Sequence, residues 1–379
     1  MHMWTAAMDD VLVKTRNNIG KFGDLFPWTG IHGGDYKRSD HEDWTEGFWS
    51  GLLWMCYEYT ADGAYREAAV QTVASFERRL DTHKVLDHHD IGFLYLPSAV
   101  AQWILEKDES AKALGLRAAE VLLQRWRPEG QYIQAWGQAG DPQNGGRIII
   151  DCLLNLPLLY WAYEKTGDAR FLEVAVTHAT KSRKFLVRGD DSSYHTFTFD
   201  METGEPVGGS THQGYSNGST WTRGQAWGIY GFILSYTYTK DPLFLETSRR
   251  MAHYFIKHLP EDYVTYWDFN LPDAPDNYRD SSATAIACCG ILELLEHLNE
   301  EDPDYSFFKQ AVERSMSSLV TNYSTKDDPS AEGLLKHGSY YVRGDLSPDD
   351  FVIWGDYFYV EALMRLTKGA PGYWYERNE

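Results

Sequence analysis

A repeated turn motif is the feature that most constrains the fold of this 379-residue chain. Short turns rich in Asp, Gly and Pro recur at intervals of roughly 50 residues, which is the scale of a repeated supersecondary unit. The turns lie at 60–65, 106–109, 166–171, 239–244 and 301–305. A mostly apolar segment precedes each turn and an amphipathic segment follows it. Asp beside Gly or Pro is typical of a point where one helix ends and another begins.

This alternation predicts an inner set and an outer set of six helices each. Buried helices are predicted at about 44–60, 89–107, 147–166, 221–240, 280–299 and 349–367. Amphipathic helices are predicted at about 4–19, 63–81, 109–127, 168–186, 242–258 and 303–322. An inner ring wrapped by an outer ring is an all-α (α/α)6 barrel, and an open α-solenoid has the same alternation. A closed ring is favoured for the following reason. The first amphipathic helix has no buried helix before it, and the last buried helix has no amphipathic helix after it, so these two helices can pack against each other. We expect residues 1–379 to form one such domain.

Three short segments rich in aromatic and β-branched residues interrupt the helical pattern, at 193–199, 263–269 and 338–343. Their composition predicts short β-strands. Each lies in a connection that leads into a predicted inner helix. In an alternating ring these connections all fall at one end of the barrel, so we expect β-hairpins and a functional site at that end.

One carboxylate, Asp151, lies within the otherwise apolar segment at 148–161. Burying an unpaired carboxylate costs several kcal/mol, so this group must be paired, protonated or used in catalysis. Arg147 lies one helical turn earlier on the same predicted face. An internal ion pair between Arg147 and Asp151 is therefore the structural alternative to a catalytic role.

Polar and aromatic residues cluster at the start of every predicted inner helix. They include Trp44, Asp90, Asp151, Trp221, Arg223, Asp280 and Asp356. Any one of these acids could be an ordinary N-cap, and any one of the tryptophans could belong to the core. The repetition at all six helices favours a shared site instead. Six parallel helix N-termini would also present partial positive charge, which suits an anionic ligand.

The charge and the cysteines exclude several classes of protein. A net charge of −20 without a basic stripe argues against nucleic acid or an anionic membrane as a partner. The four cysteines show neither zinc-site spacing nor a disulfide framework, and the chain does not open with a signal-peptide pattern, so we expect a cytoplasmic protein. His88 and His89 lack further ligands at a suitable spacing, and we predict no metal and no other cofactor.

Five stretches, in order, resemble the unsaturated glucuronyl hydrolases of glycoside hydrolase family 88. They are 43–51 (DWTEGFWSG), 87–93 (DHHDIGF), 144–151 (NGGRIIID), 221–228 (WTRGQAWG) and 278–282 (YRDSS), and 372–376 (GYWYE) extends the likeness to the chain end. The resemblance implies an (α/α)6-barrel catalytic domain that acts on oligosaccharides left by polysaccharide lyases. Such an enzyme releases a 4-deoxy-4,5-unsaturated uronic acid from the non-reducing end of glycosaminoglycan, gellan or xanthan fragments.

The resemblance also implies roles for individual residues. Asp151 is expected to be the general acid/base, and Asp90 the second essential acid, which binds sugar hydroxyls. Residues expected to bind the substrate are Trp44, His89, Trp136, His195, Gln213, Trp221, Arg223, Trp227 and Tyr340. We further hypothesise that Arg223 faces the substrate carboxylate and that Trp44 and Trp221 provide stacking surfaces. The expected partner is an unsaturated uronyl oligosaccharide, and a monomer is favoured.

Three other functions remain open from the sequence. An unsaturated rhamnogalacturonyl hydrolase would use the same barrel and the same hydration chemistry. An inverting hydrolase of ordinary glycosidic bonds would use Asp90 and Asp151 as its acid and base, about 6.5–9.5 Å apart. A non-catalytic protein that binds acidic sugars would be unaffected by the loss of Asp151, although a buried lone carboxylate is costly in a mere binder.

Overall fold

The computed structural model describes residues 2–31 and 34–377. Its α-helices are α1 (His2–Phe22), α2 (Glu46–Thr60), α3 (Gly63–Asp81), α4 (Ile91–Tyr95), α5 (Ala101–Glu106), α6 (Glu109–Leu123), α7 (Pro157–Thr166), α8 (Ala169–Leu186), α9 (Thr222–Thr239), α10 (Pro242–Lys257), α11 (Ser281–Leu295), α12 (Tyr305–Ser318) and α13 (Ile353–Lys368). Its strands are β1 (Phe26–Gly30), β2 (Tyr36–Ser39), β3 (Trp126–Arg127), β4 (Tyr132–Ile133), β5 (Arg147–Ile149), β6 (Thr196–Phe199) and β7 (Pro206–Ser210). Among these residues, no helix has both the length and the apolar character that crossing a membrane requires.

The helices form two concentric rings, which confirms the predicted (α/α)6 barrel. The inner ring consists of α2, α4 continued into α5 through the π-helical turn Leu96–Val100, then α7, α9, α11 and α13. The outer ring consists of α1, α3, α6, α8, α10 and α12. Inner helix α13 packs against α2, and outer helix α1 packs against α13. The first outer helix thus covers the last inner helix and closes the ring, as expected from the two unpaired ends.

Four of the five repeated turns have one common geometry; the turn at 301–305 differs, because Asp304 precedes α12 without a side-chain cap. The residue after the inner helix takes the left-handed conformation, and an Asp follows it. The left-handed residues are Ala61, Lys107, Gly167 and Lys240, with φ between 55° and 71°. The next residues, Asp62, Asp108, Asp168 and Asp241, each accept a hydrogen bond from the first turn of the outer helix. This cap satisfies an otherwise unpaired N–H, so the chain reverses at a defined point.

The predicted continuous helix at 147–166 is wrong. Residues 147–149 form strand β5, which pairs antiparallel with β6, and a 3-10 turn at Ile150–Leu154 follows. Three consecutive isoleucines favour an extended backbone, because their β-branched side chains are restricted in a helix. Pro157 then occupies the first turn of α7, where its missing N–H costs nothing.

The strand predictions are confirmed only for 193–199, which contains β6. The three strands β5, β6 and β7 form one antiparallel sheet. Segments 263–269 and 338–343 instead make isolated bridges, such as Tyr266 with Arg279 and Gly338 with Asp350. Two small hairpins, β1–β2 and β3–β4, were not predicted.

The last described residues close the barrel at the C-terminal ends of the inner helices. Trp374 is fully buried, stacks on Phe358 and donates its indole N–H to Glu361 at 2.8 Å. Its ring also meets the edge of Phe93, at a centroid distance of 6.3 Å. Because Phe93 lies on α4, this contact connects the closed end of the barrel to the helix that Asp90 immediately precedes.

Candidate active site

A cavity of about 220 Å³ opens at the end of the barrel where the inner helices begin. It is lined by Trp44, His89, Asp90, Trp136, Ile149, Asp151, His195, His212, Gln213, Tyr340 and Tyr341. Eight of the eleven predicted site residues are among them. The other three, Trp221, Arg223 and Trp227, lie outside the cavity wall. Ile149, His212 and Tyr341 are lining residues that the prediction did not include.

Asp151 lies in the 3-10 turn that follows β5, and it faces the cavity. Its Oδ1 atom has no hydrogen-bond partner among the described residues. Burial, and then the charge of Asp90, raise the pKa of Asp151 to about 8, although Arg223 opposes the shift. The carboxyl therefore carries a proton at neutral pH and is free to donate it.

The alternative ion pair between Arg147 and Asp151 is wrong. Arg147 instead contacts two other side chains in the described part of the chain. Its Nη1 donates to Asn144 Oδ1 at 3.2 Å, and its guanidinium lies 5.2 Å from the centre of the Trp136 ring. In the strand conformation, Arg147 and Asp151 no longer share one helical face. Arg147 therefore does not stabilise the ionised form of Asp151 by direct contact.

Asp90 immediately precedes α4 and has several donors around its carboxylate. His89 Nε2 lies 3.3 Å from Oδ1, and Asn155 Nδ2 lies 3.2 Å from the same oxygen. Burial alone would raise the pKa of Asp90, but His89, His88 and the Asn155 amide outweigh it and hold the pKa below its ordinary value. The cavity therefore contains one ionised and one protonated carboxyl, set apart by their surroundings.

His195, in the connection before β6, is fixed as a neutral donor. Its Nδ1 accepts hydrogen bonds from the backbone N–H groups of His212, at 3.0 Å, and Gln213, at 3.2 Å. These bonds assign the proton to Nε2. Burial lowers the pKa of His195 well below its ordinary value, so the ring stays neutral. Within the described residues Nε2 is buried without a partner, and it is available to a ligand in the cavity.

Aromatic rings form much of the remaining wall. Trp44 packs 5.3 Å from Trp354 and points its indole N–H towards the Tyr340 hydroxyl at 3.4 Å. His212 stacks on Tyr341 at a centroid distance of 4.7 Å. A cavity with flat apolar surfaces and a few fixed polar groups is typical of a sugar-binding site.

The three predicted residues outside the wall support it from behind. Arg223 is 1% exposed, pairs with Asp280 at 2.9 Å and donates to the carbonyl oxygens of Ser339 and of Tyr340, the latter at 2.8 Å. Both terminal nitrogens are thus engaged, which leaves Nε as the atom of this side chain without a partner among the described residues. Trp221 packs on the Arg223 guanidinium and the His195 ring. Trp227 is buried in the core against Phe93.

Two buried polar residues near the cavity were missed from the sequence. Arg125 donates to the carbonyl oxygens of Gln134, Ala135 and Gly137, and so holds the loop that carries Trp136. Asn155 lies in the apolar segment four residues after Asp151. The sequence could have indicated Asn155 as a candidate, because a side-chain amide buried in an apolar segment needs specific hydrogen-bond partners. Nothing local in the sequence distinguishes Arg125 from a surface arginine.

Comparison with known proteins extends the likeness over the whole chain. The sequence profile of Glycosyl Hydrolase Family 88 matches residues 29–367. The chain is similar to the unsaturated glucuronyl hydrolase of Bacillus sp. (strain GL1), with 59% identity over 376 residues, 99% of this chain and 100% of that relative.

The fold is similar to two solved structures. One is the unsaturated glucuronyl hydrolase from Bacillus sp. GL1, described as responsible for the degradation of glycosaminoglycan, with a TM-score of 0.98 and 58% identity over 99% of this chain and 100% of that chain. The other is a mutant unsaturated glucuronyl hydrolase from Streptococcus agalactiae complexed with dGlcA-GalNAc6S, with a TM-score of 0.86 and 41% identity over 98% of this chain and 93% of that chain.

Proposed function

The chain belongs to glycosyl hydrolase family 88 and is a glycoside hydrolase, and we propose that it is an unsaturated glucuronyl hydrolase with Asp151 as its general acid/base. It removes a 4-deoxy-4,5-unsaturated uronic acid from the non-reducing end of oligosaccharides that polysaccharide lyases produce. Fragments of glycosaminoglycans, gellan or xanthan are the proposed sources. The observation that carries this proposal is a pair of carboxyls in one cavity with unlike surroundings: burial raises the pKa of Asp151 to about 8, whereas His89, His88 and Asn155 hold the pKa of Asp90 below its ordinary value.

The substrate double bond joins C4 to C5, and C5 also carries the ring oxygen and the carboxylate. Asp151 donates its proton to C4, and the positive charge develops on C5, where the ring oxygen shares it. Asp151, now ionised, takes a proton from a water molecule whose oxygen bonds to C5. The resulting hemiketal opens to a ketone at C5, which leaves a hemiacetal at C1. That hemiacetal collapses to an aldehyde and releases the remainder of the oligosaccharide as an alcohol. One carboxyl thus serves in both proton transfers and ends in its starting form.

The other lining residues bind and orient the sugar. Ionised Asp90 accepts hydrogen bonds from sugar hydroxyls, and the Nε2–H of His195 donates to a substrate oxygen. Trp44 and Trp136 present ring faces to the apolar side of the sugar. Arg223 acts through Tyr340, whose carbonyl oxygen it holds, instead of meeting the substrate carboxylate. We propose Gln213 and His89 as further substrate contacts, since both line the cavity.

The proposal includes three statements about the protein as a whole. Residues 1–379 act as a single catalytic domain, and the enzyme works as a monomer. A cytoplasmic location is supported by the four cysteines, which are buried free thiols, including the adjacent pair Cys288 and Cys289.

The pH dependence of kcat/KM should show a basic limb near pH 8. Asp151 must carry its proton to react, so activity falls as pH rises through its pKa of about 8. At low pH, activity falls when Asp90 gains a proton, at a pH below the ordinary Asp value. Because the two acids interact, the limbs report macroscopic pKa values of the pair. Initial rates measured from pH 3 to 10 check this, and activity that still increases above pH 9 would contradict the assignment.

The substrate class is tested with matched disaccharides. We expect an unsaturated uronyl disaccharide from a lyase digest to lose its enoate ultraviolet absorbance, and the saturated counterpart to remain intact. An unsaturated galacturonyl–rhamnose disaccharide forms a third arm. Faster turnover of that sugar would favour a rhamnogalacturonyl hydrolase. Cleavage of the saturated sugar would favour an inverting hydrolase that uses Asp90 and Asp151. Binding of the unsaturated sugars without turnover would favour a non-catalytic binding protein.

A further inference from the structure

A single buried amide contacts the carboxylate of Asp90 and the backbone of Asp151. Asn155 is fully buried and follows the 3-10 turn that carries Asp151. Its Nδ2 donates to Asp90 Oδ1 at 3.2 Å and to the backbone carbonyl oxygen of Asp151 at 3.3 Å. Its Oδ1 accepts from the backbone N–H of Phe93 at 2.8 Å. The side chain therefore contacts the segments on which both acids lie.

The orientation of this amide is determined by its partners. Because the backbone N–H of Phe93 can only donate, it must face Oδ1 of Asn155, and the NH2 group must face Asp90. Gly92 brings the two segments close together. A Cβ at Gly92 would lie 2.5 Å from the Asn155 Cα atom, so a larger residue does not fit there. The donor is thus held against Asp90 by both a backbone hydrogen bond and backbone packing.

Two interacting carboxyls in one cavity compete for a proton, and hydration requires that proton on Asp151. The NH2 group of Asn155 stabilises an ionised Asp90 oxygen and cannot accept a hydrogen bond from a protonated one. Asp151 Oδ1 has no comparable donor within the described residues. We propose that Asn155 is a positioning residue that keeps the catalytic proton on Asp151 by donating a hydrogen bond to Asp90. This inference rests on the proposed function only for its kinetic consequence.

Asn155→Leu removes the donor with little change in side-chain volume, and Asn155→Ala removes it with a smaller side chain. Without the donor, the pKa of Asp90 rises towards that of Asp151, although His89 and His88 still lower it. We expect the acid limb of kcat/KM to move up by about one pH unit, a tenfold change in the acid constant, so that the loss of activity is largest on the acidic side, where Asp90 takes up its proton. Purely structural damage would lower the melting temperature and the yield of active enzyme without moving the limb.

The matched control is Gln225→Met, which removes another fully buried amide from an inner helix. Gln225 bonds to Ser193, to the Asp191 carbonyl oxygen and to the Met251 carbonyl oxygen, and it does not line the cavity. We expect this variant to lose stability and to keep both pH limbs in place. If Gln225→Met moves the acid limb as far as Asn155→Leu does, the inference is overturned.

A second measurement does not depend on activity. Carboxyl titration by NMR with 13C-labelled aspartate, assigned with Asp90→Asn and Asp151→Asn, reports which acid in the wild-type protein ionises first. We expect Asp90 to ionise first, and the gap between the two acids to shrink in Asn155→Leu. The reverse order in the wild-type protein, or an unchanged gap in the variant, would overturn the inference. Absent turnover of every unsaturated sugar would count against the proposed function alone.

Discussion

Asp151→Asn is expected to abolish turnover of an unsaturated uronyl disaccharide while the sugar still binds. An amide cannot donate a proton to C4, and it cannot then accept one from water, so both proton transfers are lost together. General acid/base groups contribute about 10²–10⁴-fold to the rate, and we expect a loss at the upper end of that range. Binding should survive, because the amide has nearly the same shape and the other ten lining residues are unchanged.

Two measurements separate these effects. The loss of enoate absorbance gives the rate, and calorimetry with the same disaccharide gives the affinity. Asp200→Asn is the matched control, since Asp200 is an exposed residue in the turn before β7 whose side chain accepts from Thr203. We expect that control to keep wild-type rates. A tenfold loss or less in Asp151→Asn would show that another group supplies the proton, and it would remove Asp151 from the mechanism.

The ring of helices is predictable from sequence because its signals are local. Each turn needs a residue that tolerates the left-handed conformation and then an Asp that caps the next helix, as at Lys107 and Asp108. These requirements are met within a few residues, so hydrophobic periodicity and turn chemistry are sufficient to find them. Ring closure, seen in the packing of α13 against α2, was predictable because one amphipathic helix and one buried helix were each left without a partner.

The segment around Asp151 was mispredicted because its conformation depends on distant partners. An all-apolar pattern does not distinguish a buried helix from a buried strand. Strand β5 exists because β6, nearly 50 residues later, supplies its hydrogen-bond partners: Ile148 pairs with Phe197 and Ile149 with Thr196. The same pairing places Asp151 at the cavity and separates it from Arg147.

The position of a residue at the cavity was predictable where the residue precedes an inner helix, and less so within the first turns of those helices. Trp44 and Asp90 lie just before α2 and α4, and both line the cavity. Arg223 and Trp227 lie inside α9, where the rotation of the helix decides which residues face the cavity. That rotation is set by packing against α11 and α10, which the sequence does not reveal. Asn155 was missed for a related reason, because its importance comes from contacts with α4.

Asp280→Ala is expected to be among the most destabilising single substitutions in the barrel. Asp280 is fully buried, caps α11 through the N–H groups of Ser282 and Ala283, and pairs with Arg223 at 2.9 Å. Removing it leaves the guanidinium buried without a counter-charge, which costs about 3–5 kcal/mol of unfolding free energy. Urea denaturation measures this loss. Asp241→Ala is the control, since Asp241 caps outer helix α10, and losing such a cap costs about 1 kcal/mol.

The same substitution should also weaken substrate binding, because Arg223 holds the segment that carries Tyr340. Without Asp280 to fix the guanidinium, that segment loses its anchor, and we expect KM to rise about tenfold at temperatures where the variant remains folded. The double variant Arg223→Met with Asp280→Leu separates the two roles of the pair. Replacing both charges with apolar side chains should recover part of the lost stability, while KM stays high because the Tyr340 carbonyl oxygen loses its 2.8 Å hydrogen bond from Arg223 and keeps only the longer one from Gln213, at 3.2 Å. A double variant with wild-type KM would show that Gln213 and the packing against Trp354 and Trp28 are sufficient to hold Tyr340 in place, and that the Arg223–Asp280 pair contributes to folding alone.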